Sequence, residues 1–343
     1  MINIYGFDLK ELVCHLSELG EPPYRASQIF HWLYKSKINS FDKMGNIPKT
    51  LREKLKAKYI ISLPKIITKQ ISSDGSIKYL LGLNDGYCIE TVFMPDIKRD
   101  TFCLSSQVGC PFDCKFCITA LSGFKRNLTA DEIIGQLLVS LPTYSTNKKI
   151  NIVFMGMGEP LLNIKNVMKA ISIMTDKNGL NLSLRNITIS TIGFPPGISE
   201  LLNYNKLPKI ALSLHSTNEK VRNFLMPKLS KYTLNNIINS IKKLPMRKGH
   251  RITIEYVMIN DINDSIEDAD NLLKITKKLP AKVNLIPLNE AEQISFKSSS
   301  IEKIEKFADY LRKNYCTVTI RKSRGKDISA ACGMLKWQQA AEK

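Results

Sequence analysis

Between residues 99 and 320 the chain repeats one pattern six times: a short apolar run, then an amphipathic stretch long enough for a helix. TFCLSSQ precedes TADEIIGQLLVSL, KINIVFMGMGEP precedes NIKNVMKAISIMT, and RNITISTIG leads through a Pro-Pro-Gly turn to a short helix. KIALSLH precedes a long segment containing LNNIINSIKKL, RITIEYVMI precedes SIEDADNLLKITKKL, and KVNLIPLN precedes SIEKIEKFADYLRKN. Strands that are apolar throughout are covered on both faces, and strands joined by helical crossovers run parallel. Residues 100–322 are therefore expected to form an α/β domain, a parallel sheet covered by helices. Periodicity leaves an open doubly wound sheet and a six-unit partial barrel equally open. In both, chemistry gathers at the carboxyl ends of the strands. Those ends hold a cysteine-rich loop, then Gly156 to Pro160, Ser190-Thr191, Ser213 to His215, Tyr256 to Asn260 and Pro287 to Asn289.

The cysteine loop is the most specific of these. Cys110, Cys114 and Cys117 have the spacing C-x3-C-x2-C, with Cys103 seven residues upstream and Lys125-Arg126 just downstream. Asp8, Lys10 and Glu11 break any apolar leader, and no run approaches the ~18 apolar residues needed to cross a bilayer. A cytoplasmic protein without a membrane segment is expected, and in a reducing compartment eight cysteines point to metal binding or thiol chemistry before structural disulfides. Structural zinc takes four ligands, whereas the local sequence offers three sulfurs and no adjacent histidine. A cubane iron-sulfur cluster takes one ligand per iron, so three cysteines leave one iron open to an exogenous ligand. Zinc completed by a distant ligand, or three buried free thiols, are the bland alternatives.

Residues 1–62 read as three small helices. Leu9, Leu12, Val13, Leu16 and Leu19 fall at helical spacing before Gly20 and Pro22-Pro23. Ile29, Trp32 and Leu33 mark a second helix, and Ile47, Leu51 and Leu55 a third that shows Lys49, Arg52, Lys54 and Lys58 to solvent. With Lys+Arg 50 against Asp+Glu 31 the net charge is +19, which favours an acidic partner such as RNA over a merely solvated surface. From 63 to 99 the period changes to two, and Asp74-Gly75 and Asp85-Gly86 separate the strands of a short antiparallel extension. Alternation alone makes Glu90 an ordinary solvent-facing member of its strand. The tail, 323–343, loses apolar periodicity; Arg321, Lys322, Arg324 and Lys326 lead into Cys332-Gly333, a thiol on a basic, glycine-containing segment.

The cysteine loop resembles the cluster loop of the radical S-adenosylmethionine superfamily. GCPFDCKFCITALSGFKRNL, FMGMGEP, ISTIG, SLHS, IPLN and RGKDISAACG together resemble, over nearly the whole chain, the bacterial dual-specificity RNA methyltransferases of that superfamily. These enzymes methylate C2 of an adenine in 23S rRNA and in tRNA. The resemblance implies a partial (βα)6 TIM-type barrel, a [4Fe-4S] cluster on Cys110, Cys114 and Cys117, and a small N-terminal RNA-recognition domain. It also implies two molecules of S-adenosyl-L-methionine per turnover and an external one-electron donor such as flavodoxin.

Adenine C2–H is neither acidic nor nucleophilic, so displacement on a sulfonium has no electron pair to attack with. In the family, one S-adenosylmethionine methylates the cysteine matching Cys332, and a second is cleaved to a radical that takes a hydrogen from the S-methyl group. The resulting carbon radical adds to the ring, and the thiol matching Cys103 resolves the protein-RNA adduct by forming a disulfide with Cys332. Glu90 matches the family's proton acceptor. Gly158, Glu159, Ser190, Ser213, Leu214, His215 and Asn289 match its cofactor contacts. A C8-methylating antibiotic-resistance relative shares the cysteines and the barrel; GFKRNL and the loop lengths favour C2. A non-catalytic RNA-binding protein with a structural metal is the alternative of another class. Nothing in the sequence demands more than a monomer.

Overall fold

The computed structural model describes residues 1–141, 148–245 and 249–339. Ten strands form one continuous sheet: β1 (Lys65–Ile71), β2 (Ile77–Gly82), β3 (Tyr87–Met94), β4 (Arg99–Cys103), β5 (Lys149–Phe154), β6 (Ile187–Thr191), β7 (Lys209–Ser213), β8 (Ile252–Met258), β9 (Ala281–Pro287) and β10 (Val318–Ile320). Their order across the sheet is their order along the chain. From β4 to β10 every pairing is parallel. A doubly wound sheet reverses direction at a switch point; this one never does, so the strands wind one way as a partial barrel.

The crossover helices are Ala130–Ser140, Ile164–Thr175, Pro195–Leu201, Leu234–Lys242, Ile266–Lys278 and Ile301–Lys313. Local sequence fixes their starts. Thr129 with Glu132, and Ser265 with Asp268, form reciprocal capping boxes, which satisfy first-turn N–H groups that have no helical partner. Their apolar stripes, such as Ile133, Ile134 and Leu137, are fully buried. Two local expectations change. Pro195-Pro196-Gly197 is the first turn of a helix rather than a turn before it, because proline lacks only an N–H that would be unpaired there. The long segment after β7 holds an extra helix, Glu219–Leu225, capped by Asn218.

The antiparallel strands are a wall of the barrel sheet rather than a separate extension. β1, β2 and β3 form a meander, and β3 pairs with β4 through Val92 and Cys103. Because Leu80 opposes Glu90 and Lys78 opposes Val92, alternation puts Lys78, Glu90, Val92 and Cys103 on one face. That face is turned toward the barrel interior and is covered by the tail, where Gln338–Gln339 pairs with β3. Glu90 is consequently 3% exposed, contrary to the solvent-facing position that alternation gave it. Residues 340–343 of the tail lie outside the described residues.

The three N-terminal helices are Leu9–Ser17, Tyr24–Tyr34 and Lys49–Lys58. They bury Leu12, Leu16, Ile29, Leu33, Leu51 and Leu55, and expose Lys49, Lys54 and Lys58. Ile2–Asn3 pairs in parallel with Tyr59–Ile60 and closes the unit. Asn3 then donates to Asp131 (2.8 Å), joining it to the first barrel helix. Among the described residues no helix is long and apolar enough to cross a membrane.

Candidate cluster and cofactor site

A small hairpin shapes the cysteine loop. Gln107–Gly109 pairs with Phe124–Asn127, and the Cys110 N–H donates to the Gly123 carbonyl at 3.0 Å. Gly109 has φ +78°, and a Cβ built there would lie 1.8 Å from the Gly123 oxygen, so the loop closes only on glycine. From outside, the unexpected helix Glu219–Leu225 and the residues after it act as a buttress. Lys115 N–H donates to the Leu225 carbonyl, Lys228 N–H to Asp113 and Lys228 Nζ to the Pro111 carbonyl.

Cys110, Cys114 and Cys117 line one cavity of about 170 Å³ at the carboxyl ends of the strands. Burial pushes all three thiols up, Cys110 to about 12. Each thiolate also opposes ionisation of its neighbours, so the set ionises only against a strong positive charge. Among the described residues, no group of three or more His, Cys, Asp or Glu side chains is gathered to share one metal ion. A cubane asks for less convergence, since each sulfur takes its own iron. The donor set therefore fits a cluster better than a single zinc.

The rest of the cavity presents what a polar cofactor would need. Glu159 accepts from the Leu161 and Ile192 N–H groups, yet burial outweighs these bonds and raises its carboxyl to about 7. A bound ammonium would restore its charge. Ser190 and Ser213 face each other at 3.2 Å across adjacent strand ends. His215, at φ +59°, accepts the Val257 N–H on Nδ1 (3.1 Å), which leaves the proton on Nε2. Burial, with Arg222 nearby, lowers it to about 3 and keeps the ring neutral. Asn289 donates to the Cys332 carbonyl at 3.0 Å, while its Oδ1 is buried with no partner. An orphaned acceptor on a cavity wall is what an amino group of a ligand satisfies.

Gly158, Glu159, Ser190, Ser213, His215 and Asn289 all line this cavity. Leu214 does not: its side chain is fully buried in the core and its N–H donates to the Glu255 carbonyl. The glycines of GMGEP also have a reason other than ligand approach. A Cβ on Gly156 would meet the Leu104 carbonyl at 2.8 Å, and one on Gly158 would meet Gln107 at 2.6 Å.

The tail brings in the distant thiol. Ile118 N–H donates to the Gly333 carbonyl (2.7 Å), Thr119 Oγ1 to the Leu335 carbonyl and Trp337 Nε1 to the Ser122 carbonyl. Upstream, Asp327 accepts from Ser72 Oγ and the Ser73 N–H, and Gly325 N–H donates to Asp74. Held at both ends, the tail places Cys332 on the wall of the cluster cavity and of an adjoining one lined by Cys103, Glu255 and Arg321. Burial, and then the charge of Cys332, push the Cys103 thiol up to about 12, with Arg321 opposing. Arg321 lines both cavities, a placement that its position at the start of a basic run in sequence does not show. All eight cysteines are free thiols. Glu90 lines neither cavity; it lies beneath the tail, where it accepts the Lys336 N–H at 2.9 Å.

Known proteins match this chain over nearly its whole length. Residues 2–61 match the ribosomal RNA large subunit methyltransferase N-terminal domain, and residues 104–273 match the radical SAM superfamily. The dual-specificity RNA methyltransferase RlmN of a Nitratiruptor species is 42% identical, the alignment covering 98% of each chain. That of Lawsonia intracellularis is 43% identical over 98% of this chain and 96% of its own. The crystal structure of a radical SAM methyltransferase from Sphaerobacter thermophilus superposes with a TM-score of 0.90 at 38% identity, covering 98% of this chain and 99% of that one. The chain thus belongs to the RlmN family of dual-specificity RNA methyltransferases, within the radical SAM superfamily.

Proposed function

We propose that this protein transfers a methyl group to C2 of an adenine, in 23S rRNA and in tRNA, with the Cys332 sulfur carrying the carbon. The observation that carries this reading is the position of Cys332, on the shared wall between the cavity of the three loop cysteines and the cavity of Cys103. Cys110, Cys114 and Cys117 would hold a [4Fe-4S] cluster, which together with S-adenosyl-L-methionine would supply the one-electron chemistry that makes an unactivated C–H bond reactive. Two cofactor molecules are used per turnover, one as methyl donor, and an external donor such as flavodoxin supplies the electron.

The chain's own residues do the rest. Gly158, Glu159, Ser190, Ser213, His215 and Asn289 orient the cofactor, the backbone at Leu214 assists, and neutral His215 contributes a fixed hydrogen-bond donor. Glu90 accepts the proton that leaves the adenine ring. Cys103 then attacks the Cys332 sulfur: a sulfur–sulfur bond forms, the bond from Cys332 to carbon breaks with its electron pair staying on carbon, that carbon takes up the proton of the Cys103 thiol to complete the methyl group, and the adduct's unpaired electron passes to the external one-electron carrier as the methylated base departs. Residues 1–62, with their exposed lysines, form the RNA-recognition unit, the antiparallel strands of 63–99 continue the sheet of the barrel at 100–322, and 323–343 is the thiol-bearing tail. The protein works in the cytoplasm as a monomer.

Expression in a host lacking its own enzyme, followed by RNA digestion and mass spectrometry, should yield 2-methyladenosine. Appearance of 8-methyladenosine alone would reassign the protein to the C8-methylating group. Cys103→Ala is expected to trap turnover at the adduct, so that RNA co-purifies covalently with the variant. Protein free of RNA after expression with its substrate would remove Cys103 from the resolving role.

A further inference from the structure

Glu90 has a partner that the reaction as described does not use. Lys78, on β2, extends along the inner face of the sheet and places Nζ 3.0 Å from Glu90 Oε1, with side-chain exposures of 10% and 4%. The same ammonium reaches the Ser329 carbonyl at 3.4 Å, three residues before Cys332. The other carboxylate oxygen accepts the Lys336 N–H, four residues after Cys332. Strand carboxylate and strand ammonium therefore grip the tail on both sides of its reactive thiol. A buried ion pair is a poor source of stability, because desolvation cancels most of the attraction. Its two charges need another justification.

We propose that Lys78 is a positioning residue for Glu90: it holds that carboxylate in place beneath the tail, aimed for the proton released from the adenine. This rests on Glu90 being the proton acceptor. A buried carboxylate is fixed by its donors, and one of the two on Glu90 is a cation. Lys78 supplies that cation from the adjacent strand, at a position that β2–β3 pairing fixes. The other titratable groups around the pair leave it this role. Asp327 is engaged by Ser72 and Ser73, Lys336 approaches Glu90 through its backbone, and Cys88 and Cys103 share the sheet face as thiols. A pocket lined by Thr68, Gln70, Lys336 and Gln338 opens beside the pair and gives the proton a way out to solvent.

The test compares Lys78→Met, Lys78→Gln, Lys78→Arg and Glu90→Gln in the iron-loaded full-length protein. Iron content, S-methyl occupancy of Cys332 by intact mass, and kcat and KM for RNA methylation are measured for each. Loss of the neighbouring cation leaves one carboxylate oxygen without its donor, so the base is no longer held in place. The neutral variants should therefore keep iron, S-methylation and KM, while kcat falls roughly tenfold. Lys78→Arg should restore the wild-type kcat. An unchanged kcat in the neutral variants, with Glu90→Gln inactive, overturns the role of Lys78 and leaves Glu90 as the base. Wild-type methylation by Glu90→Gln overturns both. Loss of iron in both neutral variants reduces Lys78 to a structural residue and equally ends the proposal.

Discussion

Cys332→Ala is expected to bring RNA methylation down to background while iron and labile sulfide stay at wild-type levels. The tail is held by main-chain and neighbouring groups: Ile118 N–H to Gly333, Asn289 to the Cys332 carbonyl, and Asp327 to Ser72 and Ser73. None of these bonds uses the Cys332 sulfur, so the alanine variant should dock its tail and keep its cavity. What vanishes is the atom proposed to carry the carbon, and among the described residues no other thiol lies on both cavities. Cleavage of the cofactor should persist without any methyl reaching RNA. A protein that only binds RNA and keeps a structural metal would show no cofactor cleavage with or without the substitution. Assay of iron and sulfide beside quantitation of 2-methyladenosine separates the cases. Iron lost together with the thiol would make Cys332 a cluster ligand and dismantle the relay.

The largest structural effect is expected at Gly109. In Gly109→Ala the new methyl group would have to occupy space 1.8 Å from the Gly123 oxygen, at a φ of +78°. The left-handed conformation alone costs an L-residue about 1–2 kcal/mol, and the clash is with backbone that cannot rotate away. The hairpin must open, the Cys110–Gly123 hydrogen bond breaks, and the first thiol leaves its place. Iron content should fall to a small fraction of wild type while the far-ultraviolet circular dichroism of the barrel is nearly unchanged. Gly86→Ala is the control. Gly86 has φ +87° with nothing within 4 Å of the added carbon, so it should lose stability by about 1 kcal/mol and keep its iron. Equal iron loss in both variants would mean that general destabilisation, rather than the hairpin, governs loading.

Much of this arrangement was legible in the sequence because the informative interactions are local. Buried parallel strands are continuous apolar runs, helix caps are Thr, Ser and Asn just ahead of them, and three loop cysteines lie within eight residues. What stayed hidden depends on partners remote in sequence. Periodicity fixes two faces for β3 but not which is covered, and only the returning tail makes Glu90 and Lys78 interior residues. The cavity position of Arg321 depends on the same distant packing. The need for glycine in GMGEP likewise comes from distant neighbours, Ser105 and Leu104 at Gly156 and Gln107 at Gly158. Strand order, which separates a barrel from a doubly wound sheet, is likewise invisible to a local pattern. The helix Glu219–Leu225 was the avoidable omission: Asn218 followed by Glu219 is a start signal.

The sheet grows in register with the chain, each strand joining the one made just before it. During synthesis on the ribosome, every wall of the chamber can consequently be laid down as it emerges, from Lys65 onward, with few distant contacts to wait for. Cys332 is the exception, since it docks on segments translated some two hundred residues earlier. Birth order thus delivers the Cys332 sulfur only after the cysteine loop has folded, and on the proposed mechanism a nascent chain stalled before Ala331 would be able to take up metal yet have nothing on which to load a methyl group.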